Sequence, residues 1–273
     1  MPTSRVNGIR LYWETAGEAG DPMVLVHGSW GDHQNWSSVV PGLSQSFRVL
    51  TYDRRGHSRS ERPEGQGNVG EDVADLAALL DELGHCPAHI AGNSFGASIV
   101  LRLSAARPDL FRSVIVHEPP LFGLLSAEPG ATAALAAVQE RMSAVVSLLA
   151  AGDPVGGARQ FVETIAFGPG AWAQLAQEAR DTFVFNAPTW LDEVRDPEAL
   201  EIQLSGLHGF APPVLLTMGG QSAPFFSLVV SLVAATMPQA LVRTYAGAGH
   251  VPHLSHPAEY VRTVLEFTRA RAA

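Results

Sequence analysis

The chain carries a single cysteine, Cys86, among its 273 residues. One thiol excludes an intramolecular disulfide and a cysteine-based zinc site. Positive charge is also scarce: 18 basic residues face 27 acidic ones, and the net charge of -9 argues against nucleic acid or an anionic membrane as partner. No run is apolar for the length that a bilayer requires. The opening Met1-Pro2-Thr3-Ser4-Arg5 is polar and reaches no apolar segment, so no signal peptide is expected. These absences leave a soluble cytoplasmic protein, monomer or homodimer, that meets a small molecule and uses no cofactor or metal. The apolar fraction of 46% is that of an ordinary globular protein and excludes extensive disorder.

What is there, first, is an alternation of short apolar runs with helical patterns. Arg10–Glu14, Pro22–His27 and Phe47–Tyr52 read as strands. From Glu71 to Leu83, the residues Val73, Leu76, Leu79, Leu80 and Leu83 recur at three and four, which predicts an amphipathic helix stopped by Gly84. Ala88–Ala91 is a strand, Ser94–Ala106 a helix and Ser113–His117 another strand. Short buried strands alternating with helices imply an α/β fold with a mainly parallel, doubly wound sheet. The rhythm breaks after Glu118-Pro119-Pro120 and returns at Pro213–Met218 and Ala240–Tyr245, with a last helix from Pro257. The reading is a core of residues 1–118 and 209–273, with a helical cap, 119–208, inserted after the sixth strand.

The pentapeptide Gly92-Asn93-Ser94-Phe95-Gly96 lies between a predicted strand and a predicted helix. It fits the G-x-S-x-G nucleophile elbow, a sharp turn that lifts a serine hydroxyl clear of the backbone. The small flanking residues let strand and helix approach. A serine hydroxyl needs an adjacent base. His250, in Ala246-Gly247-Ala248-Gly249-His250-Val251-Pro252, follows a predicted strand and is the candidate; His253 and His256 read as fillers of the same loop. A tetrahedral intermediate needs backbone donors for its oxyanion, each worth roughly 3 kcal/mol. One is the Phe95 N–H at the start of a helix, where the macrodipole helps. The other is expected from His27-Gly28-Ser29-Trp30-Gly31, at Ser29 or, next, Trp30.

With these residues the chain resembles the α/β-hydrolase fold superfamily, in its serine-nucleophile branch with a helical cap. The resemblance extends over the Asn7-Gly8-Ile9-Arg10-Leu11 hairpin, the His-Gly turn and Asp53-Arg54-Arg55-Gly56-His57-Ser58, where Asp53 is expected to pin a turn. It continues through the elbow, the exit into a cap and the terminal Gly-x-Gly-His loop. It implies a triad acid after the strand that follows the cap, but Ser222 stands where that Asp is expected. No carboxylate occurs between Glu201 and Glu259. Some members of the superfamily carry the acid after the preceding strand, which here is Glu118. A glutamate between apolar residues and two prolines is a costly place for an unpartnered charge. Glu118 is therefore the candidate acid, with Asp192 and Glu193 in the cap as weaker ones.

Aromatic residues Trp30, Trp172, Phe185, Trp190 and Phe225 are expected to line an apolar pocket under the cap, with Phe95, Phe183 and Phe226 nearby. Basic residues near the site are sparse, with Arg54 and Arg55 the nearest by motif, which disfavours a strongly anionic substrate. The expectation is a serine hydrolase that cleaves an ester or lactone of a small, mainly apolar or aromatic substrate through an acyl-enzyme. The alternatives are a carbon–carbon bond hydrolase acting on a diketone, and a non-hydrolytic binding or biosynthetic member of the fold.

Overall fold

Eight strands make one sheet in the computed structural model, which describes residues 2–128 and 130–270. They are β1 (Thr3–Val6), β2 (Ile9–Ala16), β3 (Asp21–Val26), β4 (Phe47–Tyr52), β5 (Ala88–Asn93), β6 (Phe111–His117), β7 (Val214–Gly219) and β8 (Leu241–Tyr245). Their spatial order is β1-β2-β4-β3-β5-β6-β7-β8. β1 and β2 form an antiparallel hairpin, β2 joins β4 antiparallel, and every later pairing is parallel. The mainly parallel α/β fold read from the sequence is the fold found.

Side-chain alternation builds two cores from the same strands. Val24 and Val26 of β3 pack on one face and Met23 and Leu25 on the other. The first face is covered by α2 (Val69–Leu83), α3 (Phe95–Ala106) and α8 (Pro224–Thr236). The second is covered by α1 (Val40–Leu43) and α10 (Pro257–Arg269), with α9 (Pro252–Ser255) just before it. The α2 helix begins at Asn68, whose side chain and that of Glu71 cap each other's backbone N–H, and ends at Gly84 in the left-handed region, φ 56°. The segment Pro224–Thr236, for which the sequence reading named no element, buries Phe225, Phe226, Val229, Val230 and Val233.

Between β6 and β7 the chain leaves the sheet and forms α4 (Thr132–Ala150), α5 (Pro154–Phe161), α6 (Ala171–Gln174) and α7 (Gln177–Arg195). They meet the core through a third cluster, in which Trp30 packs with Val145, Ala158, Ala187 and Trp190. One expectation needs correction: α4 is, by length and a mean hydropathy of 1.3, long and apolar enough to cross a membrane. Its apolar character comes from scattered Ala, Leu and Val rather than an unbroken run. Only Val138 and Val145 of this helix are fully buried.

Candidate active site

Ser94 occupies the turn from β5 into α3 with φ 55° and ψ -125°, outside the regions that side chains ordinarily favour. Its flanking glycines are required by contact. A Cβ on Gly92 would lie 2.6 Å from the Gly96 carbonyl oxygen, and one on Gly96 would lie 2.3 Å from that of Val26. Gly28 is pressed less tightly, on the serine itself: its Cβ would meet Ser94 Cβ at 3.0 Å. The Asn93 side chain donates to the His250 carbonyl at 2.9 Å, tying the elbow to the terminal histidine loop.

His250 Nδ1 lies 2.6 Å from Glu118 Oε2. Glu118 is fully buried, and its other oxygen accepts the Gly219 N–H at 2.7 Å. Its backbone sits at φ 46°, a second strained position at the end of a strand. Burial pushes the carboxyl pKa up, but hydrogen bonding and charge from His250, with His117 and the Ser222 hydroxyl, outweigh it and hold it below the usual value. Ser222 thus adjoins the carboxylate instead of supplying one. His117 Nε2 approaches the same Glu118 oxygen at 3.6 Å, and burial drives the His117 pKa down to about 4. Neither weaker acid candidate hydrogen-bonds His250. Asp192 borders a separate cleft beside Gln66 and Gly67, and Glu193 bonds Ser29 and Arg54.

The turn after β3 places Ser29 beside the elbow. The Phe95 N–H, first in α3, has no acceptor within its helix. The Ser29 N–H has none among the described residues. The turn is held from behind: His27 Nε2 accepts the Arg54 N–H at 3.0 Å, and burial followed by the Arg54 charge pushes His27 down to about 3. Arg54 itself is 1% exposed, lies over the Phe95 ring and bonds both Asp72 and Glu193. Arg55 is taken by Glu71 and Asp75. Neither arginine presents a free charge to the site. Asp53 accepts from His33 N, His33 Nδ1 and Arg59 N, the hydrogen-bonding of a residue that pins a turn.

Two cavities meet at Ser94. The outer one, about 300 Å³, is bordered by Gly28, Asn35, Phe167, Phe183 and Leu254. The inner one, about 60 Å³, is bordered by Phe95, Phe122, Met142, Trp190, Leu200 and Phe226. Ser29, Ser94, Phe161 and His250 border both. Of the five aromatics expected in the pocket, Trp190 is there. Trp30 borders neither cavity; it is fully buried against Phe161, Phe183 and Trp190, filling the seam between core and cap. Trp172 packs partly buried on that same cluster. Phe185 stands 58% exposed beneath Arg62, at the margin of the α7 face on which Asn186 and Trp190 are buried. Phe225 packs into the core against Phe122, and its neighbour Phe226 takes the cavity position, its ring stacked 4.6 Å from His250.

The sequence reading missed what α7 does. Asn186 donates to the Trp30 and Gly31 carbonyls and accepts the Ser58 N–H. Thr189 meets His57 at 3.0 Å, and Glu193 accepts from Ser29 Oγ at 2.5 Å. Residues 186, 189, 190 and 193 lie on one helical face. That spacing was available in the sequence, but the face is mostly polar, so hydrophobic periodicity did not reveal it.

Among the described residues, two groups bring three possible metal ligands together: His117, Glu118 and His250, and Asp32, His33 and Asp53. In each, a histidine already hydrogen-bonds a carboxylate at 2.6 Å.

A model of the alpha/beta hydrolase family matches residues 23–263. Zearalenone hydrolase of Bionectria ochroleuca is 30% identical over 276 residues, covering 97% of this chain and 96% of that protein. A dihydrolipoyllysine-residue acetyltransferase component of an acetoin cleaving system, from Pseudomonas putida, is 38% identical over 112 residues, 41% of this chain. That match spans only 30% of the relative's length. The solved structure of Est816, described as an N-acyl homoserine lactone degrading enzyme, superposes with TM-score 0.74 at 24% identity. It covers 97% of this chain and 100% of the other.

Proposed function

The chain belongs to the alpha/beta hydrolase family of enzymes, and from that premise we propose that it is a serine hydrolase of carboxylic esters or lactones. The observation that carries the reading is the buried Glu118 carboxylate 2.6 Å from His250 Nδ1, with Ser94 and His250 bordering the same cavities. The names of a lactone-degrading structural neighbour and a full-length hydrolase relative support it. So does the apolar lining around Ser94.

In this reading Ser94 Oγ attacks the substrate carbonyl carbon as its proton passes to His250. Glu118 holds the imidazole by Nδ1 and stabilises the imidazolium. The Ser29 and Phe95 amides receive the oxyanion. Collapse of the tetrahedral intermediate breaks the carbon–oxygen bond, and His250 returns its proton to the departing alkoxide. Water, activated by the same imidazole, then releases the acyl group from Ser94. In a lactone the alcohol stays tethered to the acyl group, so ring opening and hydrolysis yield one hydroxy acid.

The test is direct. A fluorophosphonate probe should label folded wild-type protein at Ser94 and leave Ser94→Ala unlabelled. Absence of labelling would favour a ligand-binding member of the fold. A screen of acyl esters, lactones and a chromogenic diketone on labelling-competent protein then separates ester or lactone cleavage from carbon–carbon cleavage.

A further inference from the structure

The inner cavity contains a carboxyl group for which the hydrolytic steps have no use. Glu193, on α7, is 8% exposed and borders the cavity beside Ser29, Ser94 and His250, among otherwise apolar walls. Its Oε1 accepts from Arg54 at 2.8 Å and its Oε2 from Ser29 Oγ at 2.5 Å. Arg54 is shared: the same guanidinium bonds Asp72 through Nε and a terminal nitrogen, at 3.0 and 3.2 Å. One buried cation therefore serves two buried carboxylates. The imidazoles beside Arg54, His27 and His57, are both pushed down by burial and add no charge near neutral pH, and His250 borders the same cavity. The cluster has more acceptor capacity and negative potential than its own donors use, and a carboxylate oxygen accommodates more than one donor.

Position converts that surplus into a preference. Ser29 bears both the amide expected to face the oxyanion and the hydroxyl that touches Glu193. The carboxyl thus stands one side chain away from the reacting carbonyl oxygen, on the inner side. The inner cavity admits only a few heavy atoms at about 60 Å³. A group that fills it lies within one or two bonds of the scissile carbonyl.

We propose that Glu193 is a specificity-determining residue that selects esters or lactones bearing a hydroxyl or amide N–H on the carbon next to the scissile carbonyl. The inference rests on the ester or lactone hydrolase reading. A donor there completes the acceptor set of Glu193, whereas an alkyl group leaves a desolvated carboxylate facing hydrocarbon. The large substituent of the substrate lies in the outer cavity, about 300 Å³.

The experiment compares matched pairs: phenyl 2-hydroxybutyrate against phenyl butyrate, and α-acetamido-γ-butyrolactone against α-propyl-γ-butyrolactone. Wild type should favour the donor-bearing member by tenfold or more in kcat/KM, chiefly through KM. Glu193→Leu should bring that ratio to near one, and Glu193→Gln to an intermediate value. The ratio is the readout, because loss of the Ser29 contact lowers both rates. If Glu193→Leu does not fold, Glu193→Gln carries the comparison, with fluorophosphonate labelling of Ser94 as the check on a competent site. Equal turnover of both members by wild type, or an undiminished ratio in the variants, overturns the proposal while leaving the hydrolase reading intact. A wild type whose Ser94 cannot be labelled overturns both.

Discussion

Glu118 must satisfy three demands at once: burial without a lysine or arginine partner, a positive φ, and a bond to an imidazole carried by a loop far along the chain. Replacement by Gln keeps the shape but removes the charge that, in the proposed mechanism, steadies the imidazolium. Turnover of Glu118→Gln should fall on the order of 10⁴-fold with fluorophosphonate labelling slowed in parallel; a loss of only a few-fold would assign the acid elsewhere. Since Ser222 already adjoins that carboxyl, Glu118→Ala combined with Ser222→Asp should recover at least tenfold over Glu118→Ala alone. Much at this scale was legible in the sequence, because the elbow and the histidine loop are local motifs with few substitutes. Gly92 and Gly96 are there because a Cβ has no room. The aromatics were less legible: adjacent residues such as Phe225 and Phe226 differ only in which way the helix turns them.

At the scale of the element, α7 is the informative case. Its average composition is that of a surface helix, yet Asn186, Thr189, Trp190 and Glu193 are all buried. Cap and core are therefore joined by hydrogen bonds as well as by the Trp30 cluster. Asn186, fully buried, satisfies two carbonyls and an amide of the loops around Ser29 and Ser58. Asn186→Leu strands those groups and should cost about 2–4 kcal/mol, read from the midpoint of urea unfolding. KM should rise in the same variant if the seam shapes the cavities. Hydrophobic periodicity recognises helices that bury grease, so it described α2 and α10 better than α7. The strands were easier still, since a parallel sheet covered on both faces writes near-continuous apolar runs into the sequence.

For the whole molecule, burial of neutral imidazoles couples stability to pH. Burial holds His27 and His253 down to about 3, His117 to about 4 and His57 well below 6.5. Below pH 6.5 the unfolded chain takes up protons on these residues and the folded protein does not. Their contribution is complete above that pH and is lost as the pH falls toward their folded values. Burial lowers His85 and His89 as well, so His33, raised by Asp53 against the opposing effect of its own burial, acts in the opposite direction as one residue against six. Each unmatched proton contributes about 1.4 kcal/mol per pH unit. Unfolding free energy from urea titrations should therefore drop steeply between pH 6.5 and 5.5, with a net uptake of several protons. A flat profile over that range would show that these imidazoles charge without unfolding. The global architecture was legible because strand and helix order follows from local patterns. What lay beyond the sequence were the pairings between distant elements, the seam under the cap among them.

One such pairing has a consequence for synthesis. Glu118 and His250 are 132 residues apart, and the bond between them spans the entire cap together with β7 and β8. The ribosome releases the elbow and Glu118 before the cap, and His250, the base of the proposed mechanism, only after β8, an edge strand of the sheet. A nascent or truncated chain can therefore hold a well-formed Ser94 turn and still be chemically silent. On that mechanism the first turnover reports that the far edge of the sheet has docked, which makes activity a clock for the closing of this sheet.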